Sequence, residues 1–280
     1  MNDAYFTATS DFTTTNGCVL KVYFVGKGEL LILCLHGCGL SARSFGPLAE
    51  ILSGTAQVIA FDLPCHGHSS KSSLALDNLI RCTVEVARKY GKDKQILLIG
   101  HSFGAALAIK VASHIDHVVA VVLIEFYQLN NFDKLIPNMP TNFDYESFLE
   151  YVRDERGITT DFAKYCLETQ IVQADDKWQW ICNPNDTRTY WSEWYKGANK
   201  DFLKLDAYKL LCLSSHTEDT ELIVAHMQGK LQLEIIPNSS HFLHESKPSA
   251  VGQIVKNLLR RMQSIKVFAK YNSPCNKLTL

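Results

Sequence analysis

Apolar residues along the chain fall into short unbroken runs separated by segments of helical spacing. The runs Leu30 to Leu35 (LLILCL), Gln57 to Phe61, Gln95 to Ile99, His117 to Ile124 and Lys209 to Leu213 are rich in branched residues and lack polar interruption. That pattern predicts strands buried on both faces. Gly17 to Gly26 alternates instead and predicts an edge strand. Between the runs, Ser44 to Leu52, Leu74 to Tyr90 and Phe103 to Val111 carry the spacing or composition of helices. Strand and helix alternate, which predicts a parallel sheet built from βα units.

The regularity ends near Phe126. From about residue 130 to 204 the sequence is richer in aromatic, Asn and charged residues and holds all four tryptophans, Trp178, Trp180, Trp191 and Trp194. It predicts an insertion that caps the sheet. A βα pattern then resumes with a helix near Thr220 to Gln228, a strand at Leu231 to Ile236, a loop at Pro237 to His244 and a helix from Pro248 to about Met262. Residues 264–280 read as a loosely attached tail. The whole is expected to be one α/β domain, 1–280, with no internal repeat.

The chemistry centres on residues 97–110, LLIGHSFGAALAIK. Ser102 lies in the turn between the buried strand and the alanine-rich helix. The spacing Gly100-x-Ser102-x-Gly104 removes side chains on both sides, so the backbone can bend sharply and lift the hydroxyl to the top of a sheet. This is the pattern of a nucleophile elbow, although a tight turn with a capping serine has similar text. A serine needs a base to accept its proton. His241, in the loop PNSSHFLHESKP after the last strand, is the candidate, with His244 one helical turn further on. For the acid that orients the base, Glu125 ends the run HVVAVVLIE and Asp219 follows KLLCLSS beside Glu218. A buried strand ending on a carboxylate asks for a partner, whereas Ser215-His216-Thr217-Glu218 has capping-box spacing and explains its acids locally. Both remain candidates. The turn His36-Gly37-Cys38-Gly39 follows an earlier strand, and the backbone amides of Cys38 or Gly39, with that of Phe103 after the serine, are candidates for an oxyanion hole.

Composition narrows the classes further. The 280 residues are 46% hydrophobic with a formal net charge of -1, so no basic footprint for nucleic acid or an acidic membrane is expected. The opening residues lack the pattern of a signal peptide and no apolar run reaches membrane-spanning length. The expected compartment is cytoplasmic, with the nucleus as the second choice. Nine cysteines without C-x-x-C spacing read as reduced thiols. Cys34 with Cys38, His66 with His68, and His241 with His244 supply too few neighbouring ligands to predict a metal. No cofactor is expected.

With these residues assembled, the sequence resembles the α/β-hydrolase superfamily and, within it, most closely the protein phosphatase methylesterases. HGCGLSARSF is similar to that family's HGGG-x-SA-x-SW loop and FDLPCHGHS to its DLR-x-HG segment. YWSEWYKGANKDFL resembles YW-x-x-WF-x-GLS-x-x-FL, and AHMQGKLQLEIIPNSSHFLHESKP resembles the QMQGK-x-Q-x-x-x-LP-x-x-GH-x-x-HED-x-P stretch around the family's histidine. The likeness runs from about Leu30 to Leu258 and is weak between Tyr127 and Asp176. In that family the acid ends the strand after the elbow helix, which corresponds to Glu125 here. Glu replaces Asp there, Phe103 and Ala105 replace Met and Gly, and Cys38 replaces a glycine.

The resemblance implies removal of the methyl ester from the carboxy-terminal leucine of the type 2A protein phosphatase catalytic subunit. His36, Gly37, Trp191 and Trp194 are then candidate substrate contacts, although an aromatic cluster can equally be a cap's own core. A small-molecule carboxylesterase or thioesterase would share the elbow and triad, and a non-catalytic binding protein could share the fold. An epoxide hydrolase or dehalogenase would need an aspartate in place of Ser102.

Overall fold

The computed structural model describes residues 3–127 and 144–272, with side chains as far as Ser264. Among the described residues eight strands form one sheet, β1 (Ala8–Thr13), β2 (Val19–Val25), β3 (Leu30–Leu35), β4 (Gln57–Phe61), β5 (Gln95–His101), β6 (Val118–Ile124), β9 (Tyr208–Leu213) and β10 (Gln232–Ile235), while β7 (Ile171–Ala174) pairs with β8 (Lys177–Trp180) in a second sheet. The order across the large sheet is β1-β2-β4-β3-β5-β6-β9-β10. β1 and β2 pair antiparallel, β2 pairs antiparallel with β4, and every later pairing is parallel. The carboxyl ends of β3, β4, β5, β6 and β9 therefore open onto one edge of the sheet, where open α/β sheets place their sites.

β1 corrects the expectation that β2 would be the sheet edge. The stretch ATSDFT is largely exposed and shows no apolar alternation, so its strand character comes from pairing with β2 rather than from its own pattern. The helices follow the sequence reading closely: α1 (Gly46–Leu52), α2 (Leu76–Tyr90) and α3 (Phe103–Ala112). α2 and α3 cover one face of the sheet in a core that includes Leu79, Cys82, Leu98, Phe103, Leu107 and Leu123. α1 and the last helix cover the other, around Phe45, Leu48, Val58, Ile99, Val251 and Val255.

The insertion divides in two. α4 (Tyr145–Arg156), α5 (Thr160–Leu167), β7 and β8 enclose a small core of Phe148, Leu149, Val152, Leu167, Ile171 and Trp180. α6 (Arg188–Tyr195) and α7 (Ala198–Lys204) instead bury Trp191, Trp194, Tyr195 and Phe202 in the main core against α3. Lys110 on α3 fastens this half by donating to Asp201 at 2.6 Å and to the Lys196 carbonyl at 2.7 Å. The early part of the expected cap, to residue 143, lies outside the described residues. α8 (Thr220–Met227), α9 (Leu243–Ser246) and α10 (Pro248–Asn272) complete the chain. α10 runs through Asn272 rather than stopping near Met262, and residues 273–280 lie outside the described residues.

α3 is apolar all round, with every residue buried except Lys110, so it can sit directly on the sheet. Its approach is set by glycine. A Cβ on Gly104 would lie 2.1 Å from the Leu35 carbonyl oxygen, and one on Gly100 would lie 2.2 Å from the Gly104 carbonyl oxygen. Both neighbours are backbone and cannot move aside. Gly104→Ala is therefore expected to lower unfolding free energy by about 3 kcal/mol or to prevent folding, whereas Gly54→Ala, which meets nothing within 4 Å, should stay within about 0.5 kcal/mol of wild type. Urea denaturation of the two variants checks this.

Candidate active site

Ser102 stands between β5 and α3 at φ 51° and ψ −116°. A non-glycine residue at positive φ is strained. Here the strain is held by the Ser102 amide, which donates to the Ile124 carbonyl at 2.9 Å, and by Ala105, whose amide donates to the Ser102 carbonyl at 2.9 Å. The result aims the side chain off the sheet's carboxyl edge, with Ser102 only 6% exposed. Tyr195 from the cap stacks on Phe126 and brings its phenol beside Ser102.

His241 and Glu125 meet at the same edge. Nδ1 of His241 lies 3.3 Å from Oε2 of Glu125. An ionised carboxylate only accepts, so Nδ1 carries the proton and Nε2 keeps its lone pair. Glu125 is itself held in a positive-φ conformation, φ 52°. Its amide donates to the Cys212 carbonyl at 2.9 Å, and its Oε1 receives the Ser214 amide in a short hydrogen bond. The carboxylate is thus fixed on one oxygen and offered to His241 with the other. Asp219 has a different setting. It caps α8, accepting the Leu222 amide at 3.1 Å, and its second oxygen accepts Asn199 Nδ2 at 2.5 Å. His244 is wholly buried, 3.3 Å from the Ser44 hydroxyl and tilted against Phe45 and His101. Burial, then the positive charge of Arg156, lowers its pKa well below the usual imidazole range.

His101, one residue before the serine, was not singled out by sequence reasoning. Its Nε2 donates to the His241 carbonyl at 2.9 Å, and its ring packs against His241 and Phe242. It links the elbow to the histidine loop directly. Burial, then the neighbouring histidines, pushes its pKa well below the ordinary value, so it is a neutral spacer rather than a second base. Room for it comes from Gly37, where a Cβ would sit 2.6 Å from His101 Nδ1.

The turn after β3 is braced by two neutral histidines. His36 Nδ1 lies 2.8 Å from the Gly37 carbonyl while its Nε2 accepts the Leu63 amide at 3.0 Å. His66 Nδ1 lies 2.9 Å from the Pro64 carbonyl and its Nε2 accepts the Gly39 amide at 3.1 Å. The Gly39 amide is thereby already engaged, and of the two expected donors in this turn Cys38 is the one left. Cys38 Sγ lies 3.2 Å from the Thr187 hydroxyl. The neighbouring Cys182, then His66 and Thr187, outweigh burial and hold the Cys38 thiol down to about 5. Asp62 ties both turns together, accepting the amides of Ala42 and His68, each at 2.8 Å.

Three of the expected substrate contacts, Trp191, Trp194 and His36, are buried. Trp194 is fully buried, donates Nε1 to the Leu74 carbonyl at 3.0 Å and stacks on Phe103 at 3.9 Å. Trp191 is 6% exposed and donates to Thr187 at 3.0 Å. Both indoles are consumed in the seam between cap and core, Trp194 directly behind the elbow. His36 is likewise wholly buried and acts as a brace. A groove of about 690 Å³ between Val118, Tyr208, Leu231 and Met262 lies at the amino ends of the strands, at the far edge from Ser102.

The cap reaches the histidine loop through a buried ion pair. Arg156, the last residue of α4, lies 3.3 Å from Glu245, and the two side chains are 1% and 0% exposed. Its second amino group donates to Gln170 at 2.8 Å, its carbonyl accepts Ser240 Oγ at 2.9 Å, and its guanidinium faces the Phe242 ring at 5.1 Å. Residues 240, 242 and 245 flank His241, so the cap holds the histidine loop on both sides of it. Arg156 falls in the stretch of weakest resemblance, and nothing local in the sequence marks it.

With the elbow, the acid and the histidine loop in this arrangement, the chain belongs to the alpha/beta hydrolase family, whose model matches residues 32–254. Within it, the similarity to methylesterases extends over most of the chain. The chain is 29% identical over 261 residues to protein phosphatase methylesterase 1 of Schizosaccharomyces pombe, covering 85% of this chain and 76% of that protein. It is also 29% identical to protein phosphatase methylesterase 1 of Candida albicans, covering 87% and 72% respectively. Among solved structures it superposes on E-2-(acetamidomethylene)succinate hydrolase with a TM-score of 0.77 at 19% identity, over 90% of this chain and 99% of that one. The thioesterase domain from the curacin biosynthetic pathway gives 0.73 at 18%, over 89% and 99%. These two likenesses establish the fold alone. Among the described residues no helix is long and apolar enough to cross a membrane.

Removing Arg156 strands a buried carboxylate. Arg156→Met is expected to destabilise the protein by about 3–5 kcal/mol, while the double variant Arg156→Met/Glu245→Leu should recover most of that loss. Denaturant midpoints of the wild type and both variants test the pair.

Proposed function

We propose that the protein is a serine carboxylesterase that removes the methyl ester from the carboxy-terminal leucine of the type 2A protein phosphatase catalytic subunit. The observation that carries the chemistry is the contact of His241 with a doubly held Glu125 at the sheet edge where Ser102 is strained into an elbow. The substrate is supported by the similarity to protein phosphatase methylesterases over most of the chain.

In the proposed mechanism Ser102 Oγ attacks the ester carbonyl while His241 Nε2 takes its proton. Glu125 holds the imidazole in the tautomer with Nε2 free and stabilises the imidazolium that forms. The developing oxyanion is received by the amides of Phe103 and Cys38, at the amino end of α3 and in the turn after β3. His241 returns the proton to the leaving methoxide, methanol departs, and water attacks the acyl-enzyme by the same steps in reverse. The acid here carries one methylene more than the aspartate of the resembled family. Its backbone at φ 52° and the Ser214 amide fix where the longer side chain lies.

Methanol release from carboxymethylated type 2A phosphatase is the direct assay, with an aryl ester as a second substrate. Ser102→Ala should abolish turnover of both, and Glu125→Gln should lower kcat by about 10⁴-fold. Asp219→Asn should leave kcat near wild type. Equal loss in the two acid variants sinks Glu125 as the acid. Turnover of the aryl ester alone keeps the esterase and removes the phosphatase as substrate.

A further inference from the structure

Three side chains from distant parts of the chain converge behind the oxyanion turn. They are Cys38 after β3, His66 after β4, and Cys182 in the insertion just after β8. One ligand atom from each lies within 4.8 Å of the other two. His66 and Cys182 are 1% and 7% exposed, and Cys38 is partly buried. Spacing along the sequence could not show this group, because each segment supplies a single ligand.

The imidazole is already oriented for ligation. His66 Nδ1 donates to the Pro64 carbonyl at 2.9 Å, which leaves the lone pair of Nε2 directed at the turn, where it accepts the Gly39 amide. Metal-binding histidines are held in this way, with the distal ring nitrogen anchored on a carbonyl. Zinc bonds of about 2.3 Å to sulfur and 2.0–2.1 Å to nitrogen set tetrahedral ligand separations of roughly 3.5–3.8 Å, so closing the cluster needs shifts of no more than about an ångström. Two sulfurs and one imidazole select soft cations over calcium or magnesium.

We infer that Cys38, His66 and Cys182 form a binding site for a thiophilic divalent cation of the zinc type, with the fourth position left to water. On binding, any proton still carried by either sulfur passes to solvent and each sulfur donates a lone pair to the cation, with no redox change. The cation also competes with the Gly39 amide for the His66 lone pair, and it draws Cys38 away from Thr187. Occupancy therefore displaces the turn that carries the Cys38 amide and inhibits ester hydrolysis. That inhibition rests on the oxyanion role proposed above, whereas the binding does not. The resembled motif has glycine in place of Cys38, so the site is a property of this chain.

The full-length protein, reduced and freed of reductant, is titrated with Co²⁺ alone as a spectroscopic stand-in for zinc. The expected result is one ion per chain, with a thiolate-to-cobalt charge-transfer band and tetrahedral visible bands that zinc abolishes and calcium does not. Cys182→Ser should weaken binding by about tenfold or more, keep basal aryl-ester hydrolysis, and raise the zinc concentration needed for inhibition to the same degree. Absence of the charge-transfer band in the folded wild type overturns the site, whatever becomes of the variant. So does a Cys182→Ser protein that binds Co²⁺ as the wild type does. Stoichiometric binding with undiminished hydrolysis keeps the site and overturns its link to the oxyanion turn.

Discussion

The close approach of α3 to the end of β3 is the constraint from which the site follows. Gly104 brings the helix backbone onto the Leu35 and His36 carbonyls, and Gly100 lets the strand turn back under it. Only with both in place can Ser102 hold positive φ at the mouth of the sheet. The energy that sustains the strain is ordinary burial. A helix that is apolar on every side is fixed by the sheet below and by Trp194 and Phe202 above. Trp194 packs against Phe103, so the aromatic part of the insertion braces the elbow through packing.

The polar residues around the site divide into those that would react and those that hold. His36, His66 and His101 all have backbone partners. Each spans two loops that the sheet leaves separate, and Asp62 does the same with a carboxylate. Such groups satisfy buried backbone amides, and for His101 a carbonyl, that would otherwise be orphaned where three strands end together. Three histidines in the neighbourhood of one serine therefore do not compete for the role of base. His36 and His66 have both ring nitrogens in contact with backbone and His101 is held by the His241 carbonyl, whereas the loop histidine meets Glu125.

Much of this was legible in the sequence. The buried strands and the elbow are local patterns, set by runs of branched residues and by two glycines at fixed offsets, and local patterns survive folding. The two candidate acids could be separated in part because Asp219 lies three residues before the amide it caps, whereas Glu125 ends a buried strand with nothing nearby to pair it. What was not legible depends on contacts across the chain. β1 is a strand only because β2 pairs with it. Trp191 and Trp194 read as a binding wall because tryptophans in an insertion suit either role, and only the packing of α6 on α3 decides. His101 sat in plain view inside the elbow, but its bond to the His241 carbonyl spans 140 residues.

The buried pair of Arg156 and Glu245 bears on how such a protein can diverge. Here the final residue of a cap helix neutralises a carboxylate that belongs to the histidine loop, and its carbonyl receives Ser240 from the same loop. A cap grafted from elsewhere would leave Glu245 as an unpaired charge in a dry interior unless it delivered a guanidinium to the same point. The insertion and the loop must change together, which ties the evolution of the cap to the placement of His241.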